Sequence, residues 1–249
     1  MTIIAVDTAL EIFSAGLSTG KNKKDMSGII LPEQRYYLTI NSGQKHSESI
    51  MDAIDTLLRM AGVARTELEA VACMEGPGSF TGLRIGFAAA KGLALALGIP
   101  IISVPTLDCM AFSFWPGMVL PVLDAKKKMF FSAIYWRGKR ISGYLDTGMD
   151  ALLKTIADAW QSIDFLPAEK KPALPPLLVV GPAVDIVMPG LVSVFPDTVS
   201  DYSWKRGYVF ELLNLAKERC ILNQDLDYYA AGPMYLRKSD AELNKKTDT

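Results

Sequence analysis

Apolar and polar positions alternate along this chain in two rhythms. Short apolar runs at 2–6, 12–17, 69–74, 99–104, 119–123, 129–136, 177–180 and 191–195 predict buried strands, and 29–40 contains further strand-like material. Between them lie segments with the helical period. Residues 47–61 carry Ile50, Ile54, Leu57, Leu58 and Ala61 on one face. Glu48, Asp52, Asp55 and Arg59 fall on the other, with Ser47 as N-cap and Gly62 as the stop. Helices are also predicted over 81–97, 107–114, 150–163 and 204–222. Turns or loops are expected at 7–9, 21–25, 41–43, 124–128 and 166–176, and a frayed polar tail from Lys238 onward. Strands alternating with helices imply mixed α/β sheets.

The two halves echo one another. Val6-Asp7 opens a turn before Phe13-Ser14-Ala15, and Leu123-Asp124 opens one before Phe131-Ser132-Ala133. The aspartates are offset by 117 residues and the Phe-Ser-Ala strings by 118, which points to a duplicated unit with a boundary near 105.

Composition narrows the chemistry. Of 249 residues half are hydrophobic, and 26 Lys+Arg against 27 Asp+Glu leave a net charge of −1, so no basic nucleic-acid footprint covers the whole chain. A single histidine, His46, excludes a His-rich metal centre, and four residues on stands Ile50 rather than a second ligand. Cys73, Cys109 and Cys220 are far apart and form no CxxC, as buried reduced thiols would. The N-terminus lacks a basic start and carries Asp7 and Glu11, unlike a signal peptide. The apolar stretch 85–104 is interrupted by Lys91, Gly98 and Pro100, so no membrane span is expected there.

Two segments invite a chemical reading. Gly76, Gly78, Ser79 and Gly82 follow a strand and open a helix, where phosphate loops sit, but the spacing is GxGxxxG and no Lys-Ser/Thr follows. On the residues alone a tight strand-to-helix connection is the favoured reading. Asp7, Thr8 and Asp124 lie in hairpin turns, where Asp ordinarily caps its own backbone; holding a phosphate or a metal is the alternative. Lys126-Lys127-Lys128 reads as a solvated turn. The helix over 82–98 has only two charges, Arg84 and Lys91, and Gly82, Gly86 and Ala90 recur at i, i+4, i+8. That row lets another helix approach closely, whether a neighbour in this chain or a partner protein.

These residues carry a resemblance. GPGSFTGLRIG (76–86) and AKGLALALGIP (90–100) closely resemble the TsaB, or YeaZ, family. So do IIAVDTA (3–9), HSE (46–48), SVPTLD (103–108), VLDAKKKMFFSAIY (122–135) and, loosely, YLR (235–237). The resemblance covers about residues 1–136. It implies an actin-like, sugar-kinase/Hsp70-type (ASKHA) fold of two duplicated α/β domains, divided as 1–105 and 106–237 with a tail at 238–249.

It also implies a non-catalytic paralogue of TsaD, the enzyme that transfers threonylcarbamoyl to adenosine beside the tRNA anticodon. Such a paralogue binds and activates TsaD in the cytoplasm, joined by the ATPase TsaE, with ATP and magnesium acting at the level of the complex and tRNA met only through it. Threonylcarbamoyl-adenylate comes from a separate TsaC-type enzyme. The TsaD-type metal motif of two histidines at i+4 has only His46 here, so the older glycoprotease label does not fit. Pairing through the N-terminal helices would use Ile50, Met51, Ile54, Leu58, Gly82, Ile85, Gly86, Ala89, Ala90 and Leu93, and without TsaD the same surface would form a homodimer. Two departures from the family pattern, a longer stretch near 20–30 and Asp52 in place of proline, bear on the edge of that surface. The competing reading is an autonomous nucleotide-dependent kinase using Asp7, Thr8, Asp124 and the loop 76–82.

Overall fold

The computed structural model describes residues 1–20, 33–41, 49–112, 117–163, 177–222, 226–227 and 232–237. The expected cap Ser47, the histidine at 46, the loops 21–25 and 166–176 and the tail from 238 lie outside them. Two compact units emerge, Met1–Cys109 with Lys205–Met234, and Met110–Trp204 with Tyr235–Thr249.

The first unit is built on a six-stranded sheet. β1 (Ile3–Asp7), β2 (Phe13–Ser18) and β3 (Arg35–Ile40) form an antiparallel meander. β4 (Ala70–Gly76) and β5 (Ile101–Pro105) add in parallel to β1, and β13 (Leu226–Asp227) closes the far edge antiparallel to β5. The spatial order is β13-β5-β4-β1-β2-β3. Ile4 and Val6 of β1 point to a core shared with α1 (Ile50–Ala61) and α2 (Phe80–Leu97), where Phe13, Leu57, Val71 and Phe87 meet. Gly62 ends α1 at φ +59 and Gly98 ends α2 at φ +67, the left-handed stops that glycine supplies cheaply. α2 is long and apolar enough by length and hydropathy to cross a membrane, but seven of its residues are buried, and it packs against β1, β4 and β5.

The second unit repeats this plan. β6 (Met118–Asp124), β7 (Phe130–Ser132) and β10 (Leu145–Thr147) are antiparallel, and β11 (Leu177–Val180) and β12 (Thr198–Asp201) add in parallel to β6, giving the order β10-β7-β6-β11-β12. A short hairpin of β8 (Tyr135–Trp136) and β9 (Lys139–Arg140) extends from the other end of β6. α4 (Met149–Gln161) and α5 (Val184–Val194) complete the core around Leu152, Trp160, Val187 and Phe195.

Both sheets thus share one strand order, and the fold is the duplicated α/β arrangement of the actin-like class. Asp7 and Asp124 end equivalent strands. The Phe-Ser-Ala strings are not equivalent, because Asp7 pairs with Ser14 whereas Asp124 pairs with Phe130. The register therefore places Phe131 opposite Leu123 as Ala15 is opposite Val6.

The structure departs from the expected elements in several places, and the strand expected over 129–136 is divided into β7 and β8. Residues 191–195 end helix α5 rather than form a strand; Pro189 stands inside the helix instead of breaking it, and the fifth strand is the polar β12. The helix expected over 204–222 is a 3₁₀ turn (Ser203–Arg206), then Gly207 at φ +75, then α6 (Val209–Ile221). α6 packs on β1, β2 and β5, so Lys205–Met234 groups with the first unit, where a single boundary near 105 assigns it to the second. α3 (Thr106–Ala111) follows β5 directly and is shorter than the segment 107–114 suggests.

Candidate functional site

β1 and β4 are parallel neighbours, so their carboxyl ends bring the turn after Asp7 beside the glycine loop. In open α/β sheets this edge is where ligands bind. Here the loop is joined to the turn. The Ser79 N–H donates to Ala9 O at 2.7 Å, and Thr8 Oγ1 donates to Gly82 O at 2.7 Å. Ser79 caps α2, its Oγ accepting from the Gly82 N–H at 3.2 Å. A Cβ at Gly78 would lie 2.4 Å from Ala9 O, one at Gly82 2.0 Å from Thr8 O, and one at Gly86 2.3 Å from Thr8 Oγ1. At Gly76, φ is +115 and a Cβ would meet Met234 O at 2.6 Å. The glycines serve close approach of this chain's own backbone.

Asp7 is fully buried at the α6 N-terminus. Its carboxylate accepts from the Ala9 N–H at 3.1 Å, the Tyr208 N–H at 3.3 Å and Ser14 Oγ at 3.4 Å. Burial pushes its pKa up to about 6; those hydrogen bonds oppose the shift, and the charge of Glu211 adds to it. Asp124, in the second unit, is exposed. It accepts from the Lys126 side chain at 2.9 Å and backbone N–H at 2.7 Å, and these bonds hold it below the usual carboxylate range. Thus Asp7, Thr8, Gly76, Gly78 and Ser79 gather at one edge of the first sheet, and Asp124 belongs to another.

The helix surface differs from the expected one. Ile50, Ile54, Leu58, Gly82, Gly86, Ala90 and Leu93 are buried inside the first unit and cannot face a partner. Gly82 and Gly86 bring α2 down onto the β1–β2 turn, and Ala90, the third of the row, is buried in the core. Of the ten helix positions, only Met51, Ile85 and Ala89 keep accessible surface. A second row has the same i, i+4, i+8 signal, which periodicity alone could have found. Ala88, Gly92 and Ala96 form it; Gly92 and Ala96 lie on the accessible side of α2, and nothing lies within 4 Å of a Cβ built at Gly92. Exposed large apolar side chains occur on both helices: Leu95 (58%) and Phe80 (42%) on α2, and Met51 (45%) and Met60 (60%) on α1. Arg84 lies over the Phe80 ring at 3.8 Å.

A duplicated actin-like α/β protein, with a glycine-built strand-to-helix junction and a helix of only two charges that leaves one face open to solvent, is the class these features define. The family model described as TsaD, tRNA N6-adenosine threonylcarbamoyltransferase, matches residues 39–174. Among relatives, the tRNA threonylcarbamoyladenosine biosynthesis protein TsaB of Bacillus subtilis is 32% identical over 137 residues, 54% of this chain and 55% of that protein. TsaB of Escherichia coli is 32% identical over 145 residues, 55% and 54% of the two chains. The chain spans about half the length of the curated relatives it matches. The structure of YeaZ from Pseudomonas aeruginosa superposes with a TM-score of 0.67 at 22% identity, covering 94% of this chain and 99% of that one, and shares its fold. The chain belongs to the TsaD family of proteins, among its TsaB (YeaZ) members.

Proposed function

We propose that this chain is a partner-binding subunit that pairs with a TsaD-type threonylcarbamoyltransferase and activates it in making N6-threonylcarbamoyladenosine on tRNA in the cytoplasm. The observation that carries this reading is the outer face of α2. It offers a row of small residues, Ala88, Gly92 and Ala96, beside exposed Leu95, with no acidic side chain on the helix. Such a face lets a second helix approach closely and buries apolar surface when it does. Family membership supplies the partner's identity. The chain itself takes no catalytic role, since Ile50 stands where a second histidine ligand would be. A TsaE-type ATPase and ATP with magnesium belong to the larger complex, and without TsaD the same face pairs two copies of this chain.

The use of the loop glycines in close packing against Thr8 and Ala9 favours this subunit reading over an autonomous nucleotide enzyme. Reconstitution tests it. Purified TsaD-type enzyme, assayed for threonylcarbamoyl transfer to tRNA, should be markedly more active with this chain than without it. Equal rates would overturn the activating role. Calorimetry with ATP and magnesium on the isolated chain should give weak or no heat; tight binding with turnover would restore the enzyme reading.

A further inference from the structure

The charges of this near-neutral chain are unevenly placed. From Ala125 to Leu145 there are six cations, Lys126, Lys127, Lys128, Arg137, Lys139 and Arg140, and no acidic residue. All six are exposed. They occupy two turns joined by the strands beside β6. The lysine turn follows the end of β6 at Asp124, and the β8–β9 hairpin pairs with its beginning at Met118 and Val119. About seven residues of extended chain separate them, roughly 20 Å. Of the acidic groups flanking this stretch, Asp124 pairs with Lys126 at 2.9 Å and Asp146 with Arg237.

The backbone gives an independent reason to regard these turns as more than solvated loops. Lys126, Lys127 and Lys128 have φ of +63, +54 and +59, and Arg137 has +48. Each such residue costs about 1–2 kcal/mol relative to a right-handed conformation, and glycine or asparagine would relieve it. Four long cationic side chains occupy the positions that least favour them. The arginines are also held in place, Arg137 over Trp136 at 5.5 Å and Arg140 over Tyr144 at 4.1 Å. Arg140 also donates through Nη1 to Ser142 O at 2.8 Å, which further fixes its guanidinium.

The geometry points to a phosphate-backbone contact: the lysine turn and the arginine hairpin of the second unit bind the tRNA that the TsaD-type partner modifies. This rests on the subunit reading above and goes beyond it, adding a direct tRNA contact to the one made by the partner. The recognition is of phosphate charge, without base readout.

The test uses the complex of this chain with its TsaD-type partner, and a fourfold neutral variant, Lys127→Gln/Lys128→Gln/Arg137→Gln/Lys139→Gln. Copurification with TsaD should be unchanged, because none of the four lies on α1 or α2. Binding of tRNA at moderate salt should fall roughly tenfold or more, and the slope of log affinity against log salt should shrink by about 0.7–0.9 for each phosphate no longer neutralised. Each half variant should give part of both changes. Unchanged tRNA affinity and slope, with pairing intact, would overturn the proposal and leave the subunit reading standing. Loss of TsaD from the complex instead would make the strip a protein contact and also overturn it. Failure of the unmodified chain to pair with TsaD would count against the subunit reading. The tRNA proposal would then be judged by salt-dependent binding of the isolated chain, which should be lost in the variant and whose absence in the parent would refute it.

Discussion

The inner and outer faces of α2 carry the same sequence device and use it differently. On the inner face Gly82 and Gly86 are covered by the β1–β2 turn, with the Thr8 hydroxyl bonded to Gly82 O at 2.7 Å, and Ala90 is buried in the core of the first unit. On the outer face Ala88, Gly92 and Ala96 are left uncovered by the sheet. A row of small residues at helical spacing therefore states only that something approaches closely. Whether that is the same chain or another is decided by where the row falls relative to the sheet.

Substitution at matched positions separates the two faces. Gly82→Ala puts a Cβ 2.0 Å from Thr8 O, a backbone atom that cannot swing away. It should cost about 3 kcal/mol, at the upper end of the overpacking range, seen as a lower urea midpoint. Were the midpoint unchanged, α2 would not sit on the turn as described.

The acid beneath that turn should show in pH dependence. With its pKa pushed up to about 6, Asp7 is protonated more readily in the folded than in the unfolded chain. The favourable contribution is fully present below the ordinary value near 3.8 and is lost as pH rises through about 6, a change of about 3 kcal/mol. Asp7→Asn should therefore gain on the parent protein between pH 4 and 7 in thermal melts. Asp124→Asn should show a smaller effect of opposite sign, since Lys126 holds Asp124 below its usual range and its stabilising form is lost as pH falls. Parallel melting curves for Asp7→Asn and the parent would refute the assignment of Asp7 as a buried, neutral-leaning acid.

The smallest effect distinguishes the faces most sharply. Gly92→Ala fills open space on a helix interior and should stabilise the isolated chain by up to about 1 kcal/mol. The same methyl should weaken pairing with the TsaD-type partner. Stabilisation with undiminished pairing would place the interface elsewhere.

Much of the fold was legible in the sequence. Strands 2–6 and 69–74, the amphipathic α1 and the left-handed stops at Gly62 and Gly98 follow from period and punctuation, because local chemistry decides them. The glycine loop's role as a tight junction was half visible: spacing denied a phosphate motif, but only the fold shows Ala9 O sitting where a Cβ at Gly78 would go. Two elements failed for tertiary reasons. Pro189-Gly190 reads as a breaker, yet α5 runs through it, and the apolar run 191–195 became the buried end of a helix. β12 is too polar to be read as a strand because it lies at a sheet edge, partly in solvent. The buried state of Asp7 depends on Tyr208, 201 residues away, which no local pattern encodes.

The central claim, that the outer face of α2 is the surface this chain offers to a TsaD-type enzyme, is tested most directly by Gly92→Arg/Leu95→Glu. Both positions are exposed, so the variant should melt close to the parent. Measured by copurification and by threonylcarbamoyl transfer to tRNA, it should lose the partner and the activation together. A well-folded double variant that still binds and activates the enzyme would contradict the account.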